Sequence, residues 1–148
     1  MLPYRSAAAL ALLLASVAAE GPCDILGTAG NPCVAAHSTV RALYAQYSGP
    51  LYKVSINSSG KSADIGPLAA GGFANVSAQD TFCAAGDCVI SKIYDQSPQG
   101  NHLTQRISCV PGQGCVYHKT VNASKHRISV RGGAEVYGMW FDPGCVLQ

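Results

Sequence analysis

The sequence predicts an all-β sandwich or barrel with one short helix near its N-terminus. Three observations point there. Apolar and polar residues alternate with period two in several short segments, glycine-rich turns separate those segments, and a single stretch shows helical spacing. Taken in order, Asn31-Pro32 combines a good N-cap with proline at the first helical position, where a missing N–H costs nothing. Ala36, Val40, Leu43, Tyr44 and Tyr47 follow at helical spacing, and Ser48-Gly49-Pro50 supplies a stop, so a helix is expected from about 34 to 47 with its tyrosines in the core. Tyr52, Val54 and Ile56 then alternate with Leu51, Lys53 and Ser55, and Asn57-Ser58-Ser59-Gly60 ends that run as a turn. Val89 to Tyr94, Val116 to Val121, Arg127 to Arg131 and Ala134 to Phe141 are further strand candidates, the last two joined through Gly132-Gly133 as a hairpin.

Composition narrows the function. The chain has 148 residues, a formal charge of +2 and only 12% charged residues. That balance lacks the basic footprint of a nucleic-acid binder, and the lone Arg131-Gly132-Gly133 reads as a turn rather than an RNA contact. The composition is not that of a disordered chain, and no repeat or linker divides it into two domains. Arg5 precedes the apolar run Ala7 to Ala15, with small residues at Val17 and Ala19. This is the layout of a secretory signal peptide over residues 1–19, too short to span a bilayer, leaving residues 20–148 as a secreted, membrane-free mature chain.

Export makes disulfides the first reading of Cys23, Cys33, Cys83, Cys88, Cys109, Cys115 and Cys145. The shortest closures pair Cys23 with Cys33, Cys83 with Cys88 and Cys109 with Cys115, although spacing does not fix connectivity, and Cys145 is left over. Asn57, Asn75 and Asn122 each begin an Asn-x-Ser sequon and are candidate glycosylation sites. His37, His102, His118 and His126 are not spaced with cysteines as zinc ligands, so no metal is expected. Serine-hydrolase elbows, Walker loops and dinucleotide fingerprints are absent from the sequence.

Secretion, sequons and low charge suit an extracellular hydrolase of polymers, and a glycosidase needs one carboxyl group as acid and another as nucleophile or base. Residues 20–148 offer Glu20, Asp24, Asp64, Asp80, Asp87, Asp95, Glu135 and Asp142. Spacing selects no pair among them. Asp87 falls in the small cysteine turn, Glu135 on a hairpin strand and Asp142 at an Asp-Pro-Gly turn, while Asp95 opens a loop whose backbone N–H groups its side chain can bind.

Specific blocks carry a family resemblance. Gly21-Pro22-Cys23-Asp24-Ile25, Pro32-Cys33-Val34-Ala35-Ala36-His37-Ser38-Thr39, Arg41-Ala42-Leu43-Tyr44 and Ser48-Gly49-Pro50-Leu51-Tyr52 resemble the start of a fungal-type α-L-arabinofuranosidase B catalytic domain, glycoside hydrolase family 54. The resemblance runs on through Ala78-Gln79-Asp80-Thr81-Phe82-Cys83, Ile93-Tyr94-Asp95-Gln96-Ser97 and Gly100-Asn101-His102-Leu103-Thr104-Gln105, then thins. It implies a two-sheet, concanavalin-like β-sandwich, here partial, and a retaining glycosidase without cofactor. Such an enzyme releases terminal arabinofuranosyl units from arabinan and arabinoxylan, so an arabinose-containing plant cell-wall polysaccharide is the implied partner. The resemblance also implies the pairs Cys23 with Cys33 and Cys83 with Cys88. In the family the nucleophile, the acid/base and an adjacent cysteine pair lie C-terminal to the matched segment. No catalytic residue is therefore carried over, those of the family are expected beyond Gln148, and this truncated portion alone is expected to be inactive. The alternative expectation is a non-catalytic, disulfide-linked carbohydrate-binding or cell-surface module presenting Tyr117, Tyr137, Trp140 and Phe141.

Overall fold

The computed structural model describes residues 19–143, 145, 147 and 148; residues 1–18 of the expected signal peptide lie outside it. Strands dominate, as the sequence predicts, and a short helix opens the described chain. That helix, α1, is Pro22–Thr28. Pro22 occupies the first turn, and the Gly21 N–H donates to Asp24 Oδ2 at 2.8 Å, the reach-back half of a capping box. Gly21 is required by space, since a Cβ there would sit 2.3 Å from the Leu43 carbonyl oxygen. A disulfide from Cys23 to Cys33 ties the chain after the helix back onto it.

The expected helix from 34 to 47 does not form, because distant acceptors take the N–H groups it would use. Ala36 N–H donates to Asp95 Oδ1 at 2.7 Å, Leu43 N–H to Gln96 Oε1 at 2.7 Å, and Ala45 N–H to Asp24 Oδ2 at 2.6 Å. Ser38 Oγ accepts from both Val40 N–H and Arg41 N–H, a local turn that competes with helix. Tertiary hydrogen bonding thus overrides the apolar spacing. Of the two tyrosines expected in the core, Tyr47 packs against it, whereas half-buried Tyr44 lines an open cleft instead.

The main sheet is antiparallel with five strands. β1 (Tyr52–Ile56) lies between β2 (Ser62–Ile65) and β3 (Cys88–Ile93), and β3 also pairs with β4 (Leu103–Thr104) and β7 (Val121–Asn122). Between β2 and β3 the chain forms α2 (Val76–Cys83), capped by Asn75 Oδ1 accepting from Ala78 N–H at 3.0 Å. A disulfide from Cys83 to Cys88 turns the chain from α2 into β3. β5 (Ile107–Val110) and β6 (Gly114–Tyr117) form a separate hairpin crossed by the Cys109 to Cys115 disulfide. β8 (Arg127–Ser129) and β9 (Glu135–Tyr137) form the second hairpin, with Gly132 and Gly133 at φ of 94° and 78°, a left-handed turn that favours glycine.

The strand expected from Val116 to Val121 is divided. Its first half pairs with β5, while Val121 crosses to Ile90 in the main sheet. The core lies on one face of that sheet, where Leu51, Tyr52, Val54, Ile65, Ile90 and Ile93 are buried with Ala42, Ala74 and Ala123. Complete burial of side chains of this size contributes roughly 1.5–3 kcal/mol each. The two hairpins, by contrast, carry Val116, Tyr117 and Ile128 in the open, and Trp140 beyond β9 is likewise exposed.

Candidate functional site

The densest polar constellation is built on Asp95. It follows β3 and is only 5% exposed, yet it is fully provided with donors. Oδ1 accepts from the N–H groups of Ala36 and Ser97 at 2.7 and 2.9 Å, and Oδ2 accepts from Ser97 Oγ at 2.8 Å and Asn101 N–H at 2.9 Å. Burial alone would raise its pKa, but these bonds to Ser97, Ala36 and Asn101 outweigh it and hold the carboxyl down to about 2. The group is a permanent anion at neutral pH, suited to organising backbone and unsuited to delivering a proton. Its own N–H donates to His102 Nδ1 at 3.0 Å, which places the imidazole proton on Nε2. His37 Nε2 meets the Asn101 carbonyl at 2.7 Å, closing the same loop onto the N-terminal segment.

Beside this hub lies an open cleft of about 600 Å³, where α1, the Cys23 to Cys33 bridge, Tyr44 and the Pro98-Gln99 loop meet. That volume is within the range of small-molecule sites. Val34, Pro32 and Pro98 give it apolar walls, and Asp24, Thr28, Gln99 and Tyr44 are the polar residues around it. Partial burial, then the charges of Asp95 and Asp24, push the Tyr44 phenol up, so it stays a neutral donor. The Asp24 carboxylate at this cleft is engaged through Oδ2 with two backbone N–H groups, those of Gly21 and Ala45.

Two carboxylates distant in sequence do come together elsewhere. Arg127 donates from Nη1 to Asp80 Oδ2 at 3.0 Å and from Nε to Glu135 Oε2 at 2.6 Å, while Tyr137 donates to Asp80 Oδ1 at 2.7 Å. The guanidinium between the two acids makes this a dock between α2 and the β8–β9 hairpin, and no free acid and nucleophile face each other there. Asp64 accepts from the Tyr94 hydroxyl at 2.7 Å and lies 3.6 Å from Lys53 Nζ on the outer side of the main sheet. Glu20, Asp87 and Asp142 are exposed. His118 Nε2 meets Ser108 Oγ at 2.9 Å, and the His126 ring tilts against Trp140. Among the described residues no three His, Cys, Asp or Glu side chains gather as a metal site.

Two buried amides escaped the sequence reading. Gln96 fixes the Arg41–Leu43 backbone, accepting from Leu43 N–H and donating to the Arg41 carbonyl. Gln79, fully buried, accepts from the Tyr52 hydroxyl and donates to the Ala123 carbonyl at 2.6 Å. The signal for Gln79 was present: Asn75 as a cap, then Val76, Gln79, Phe82 and Cys83 at i, i+3, i+6 and i+7 put the glutamine on an inward helix face.

Comparison with known proteins decides the family. Residues 22–148 match the family described as alpha-L-arabinofuranosidase B, catalytic. The chain belongs to this family. Within it, a probable alpha-L-arabinofuranosidase B of Aspergillus fumigatus is 48% identical over 134 residues, covering 87% of this chain and 26% of the relative. An alpha-L-arabinofuranosidase B of Penicillium canescens is 45% identical over 149 residues, covering 95% of this chain and 31% of the relative. A solved glycoside hydrolase family 54 α-L-arabinofuranosidase, a mutant soaked with 4-nitrophenyl α-L-arabinofuranoside, superposes with a TM-score of 0.75 at 44% identity and covers 84% of this chain and 26% of that one. An arabinofuranosidase complexed with arabinofuranosyl-α-1,2-xylobiose gives the same TM-score and identity. The chain thus spans 26–31% of the length of these relatives. The arabinofuranosidase B family signature therefore embraces the Asp95 hub, the cleft and the Arg127 dock alike.

Proposed function

We propose that residues 20–148 form the N-terminal part of a secreted, retaining α-L-arabinofuranosidase catalytic domain, following a signal peptide over residues 1–19. In this reading the segment supplies scaffold rather than the catalytic pair. Its substrate class is arabinose-containing plant cell-wall polysaccharide, arabinan and arabinoxylan, from which terminal arabinofuranosyl units are released without a cofactor. The observation that carries the reading is the family match over residues 22–148, together with a fold shared at TM-score 0.75 with solved arabinofuranosidases over only 26% of their length. The geometry supports it from the other side. Asp95, Asp24, Asp80 and Glu135 are each committed to backbone N–H groups or to Arg127. A retaining glycosidase instead needs one carboxyl group free to attack and a second to exchange a proton with the leaving oxygen and water.

A chimera tests the reading. Residues 22–148 are exchanged for the matching quarter of the Aspergillus fumigatus relative, and arabinose release from arabinoxylan is measured. An active chimera is the expected result. A folded but inactive one, with the unaltered relative active, would contradict a scaffold role in that domain.

A further inference from the structure

The three sequons are equivalent in sequence, since each has serine at its third position, but the fold treats their asparagines differently. Asn75 is half-buried and its Oδ1 caps α2 through Ala78 N–H, with buried Val76 next to it. Asn122 is half-buried on β7, paired with Val89; its Oδ1 accepts from Ser124 N–H at 2.9 Å, and its neighbours Val121 and Ala123 are each 1% exposed. Both amides are therefore oriented by a local hydrogen bond between residues that face the core.

Asn57 differs on every count. It is the first residue of the turn after β1, and it is exposed together with Ser58, Ser59 and Gly60. The turn is held by backbone bonds, Gly60 N–H to the Ile56 carbonyl at 2.9 Å and Asn57 N–H to the Asp87 carbonyl at 3.3 Å, and by Ser59 Oγ accepting from Lys61 N–H, none of which uses the Asn57 side chain. Among the described residues the Asn57 side chain makes no hydrogen bond, so its amide nitrogen is free to turn outward. From this geometry we infer that Asn57 is the N-glycan acceptor of the folded protein and that Asn75 and Asn122 are left unmodified. An N-glycan is bulky and hydrated. On Asn75 or Asn122 it would have to be accommodated beside core residues, whereas on Asn57 it projects from a turn. The position has a consequence: β2, which that turn opens, is an end strand of the main sheet, and unpaired strand edges invite pairing with other chains. A glycan on the turn screens that edge.

The inference rests on the secretion reading above, and the experiment separates the two. The full 148-residue chain is expressed in a yeast, once with its own N-terminus and once behind a host leader. Protein from the medium is treated with peptide N-glycosidase in heavy-oxygen water and mapped by mass spectrometry. Label at position 57, with positions 75 and 122 unlabelled, is expected in both arms. Unlabelled 57 in exported protein, or label at 75 or 122 comparable to that at 57, would overturn the inference. Export only behind the host leader, with label at 57, would overturn the secretion reading and leave this one standing. Asn57→Gln is expected to remove the glycan mobility shift and to increase self-association in size-exclusion chromatography; unchanged elution would refute the screening role.

Discussion

At the scale of the residue, Asp95 shows how one charge replaces a regular element. Four donors converge on it, from the segment after Cys33 and from its own loop, and they fix both without helix or strand. Asp95→Asn is expected to cost roughly 2–4 kcal/mol in chemical denaturation at neutral pH, since hydrogen bonds to a charged acceptor are the stronger kind. The pH dependence follows from the same bonds. The folded carboxyl titrates near 2 against an ordinary value of 3.8, so its stabilisation is complete above about pH 4 and is lost as pH falls toward 2. Unfolding midpoints measured across that window should fall for the native sequence, and fall less for Asp95→Asn. Gly21 gives a second prediction: Gly21→Ala drives a methyl group into the Leu43 carbonyl, and a loss of about 1–3 kcal/mol is expected from the backbone shift it forces.

Among the elements, Gln79 joins α2 to β1 through Tyr52 and to the end of β7 through Ala123. Gln79→Leu leaves a buried hydroxyl and a buried carbonyl unpaired, and roughly 2–4 kcal/mol of destabilisation is expected. Adding Tyr52→Phe removes one orphaned group, so the double variant should lose less than the sum of the single losses; strict additivity in the denaturation cycle would argue against the bridge. The elements also show where sequence sufficed. β1, β3 and the β8–β9 hairpin were legible because apolar alternation and Gly132-Gly133 act locally. Ser62–Ile65 was not, because as an end strand it has one large apolar residue, Ile65, to reveal it. The helical spacing from Ala36 to Tyr47 misled because its N–H groups are claimed by Asp95, Gln96 and Asp24, acceptors that no local pattern foretells. Asp95 itself was readable as a loop holder, since Asp-x-Ser turns bind their own backbone; its reach to Ala36 was not.

For the molecule as a whole, the main sheet and its core are well covered while the hairpins are not. Val116, Tyr117 and Trp140 are 64%, 67% and 62% exposed, and Ile107 and Ile128 are also open. Exposed apolar groups on and beside short two-stranded units favour association. Residues 20–148 in isolation are expected to self-associate as their concentration rises, and sedimentation velocity showing a monomer throughout would count against this. The chain belongs to the family, and the committed carboxylates support the proposed claim, in which this chain supplies framework to an arabinofuranosidase catalytic domain and its own carboxylates do not form the catalytic pair. The most direct measurement is hydrolysis of an aryl α-L-arabinofuranoside by the purified 148-residue protein. No release of arabinose is predicted; release that Glu135→Gln or Asp142→Asn abolishes would contradict the claim.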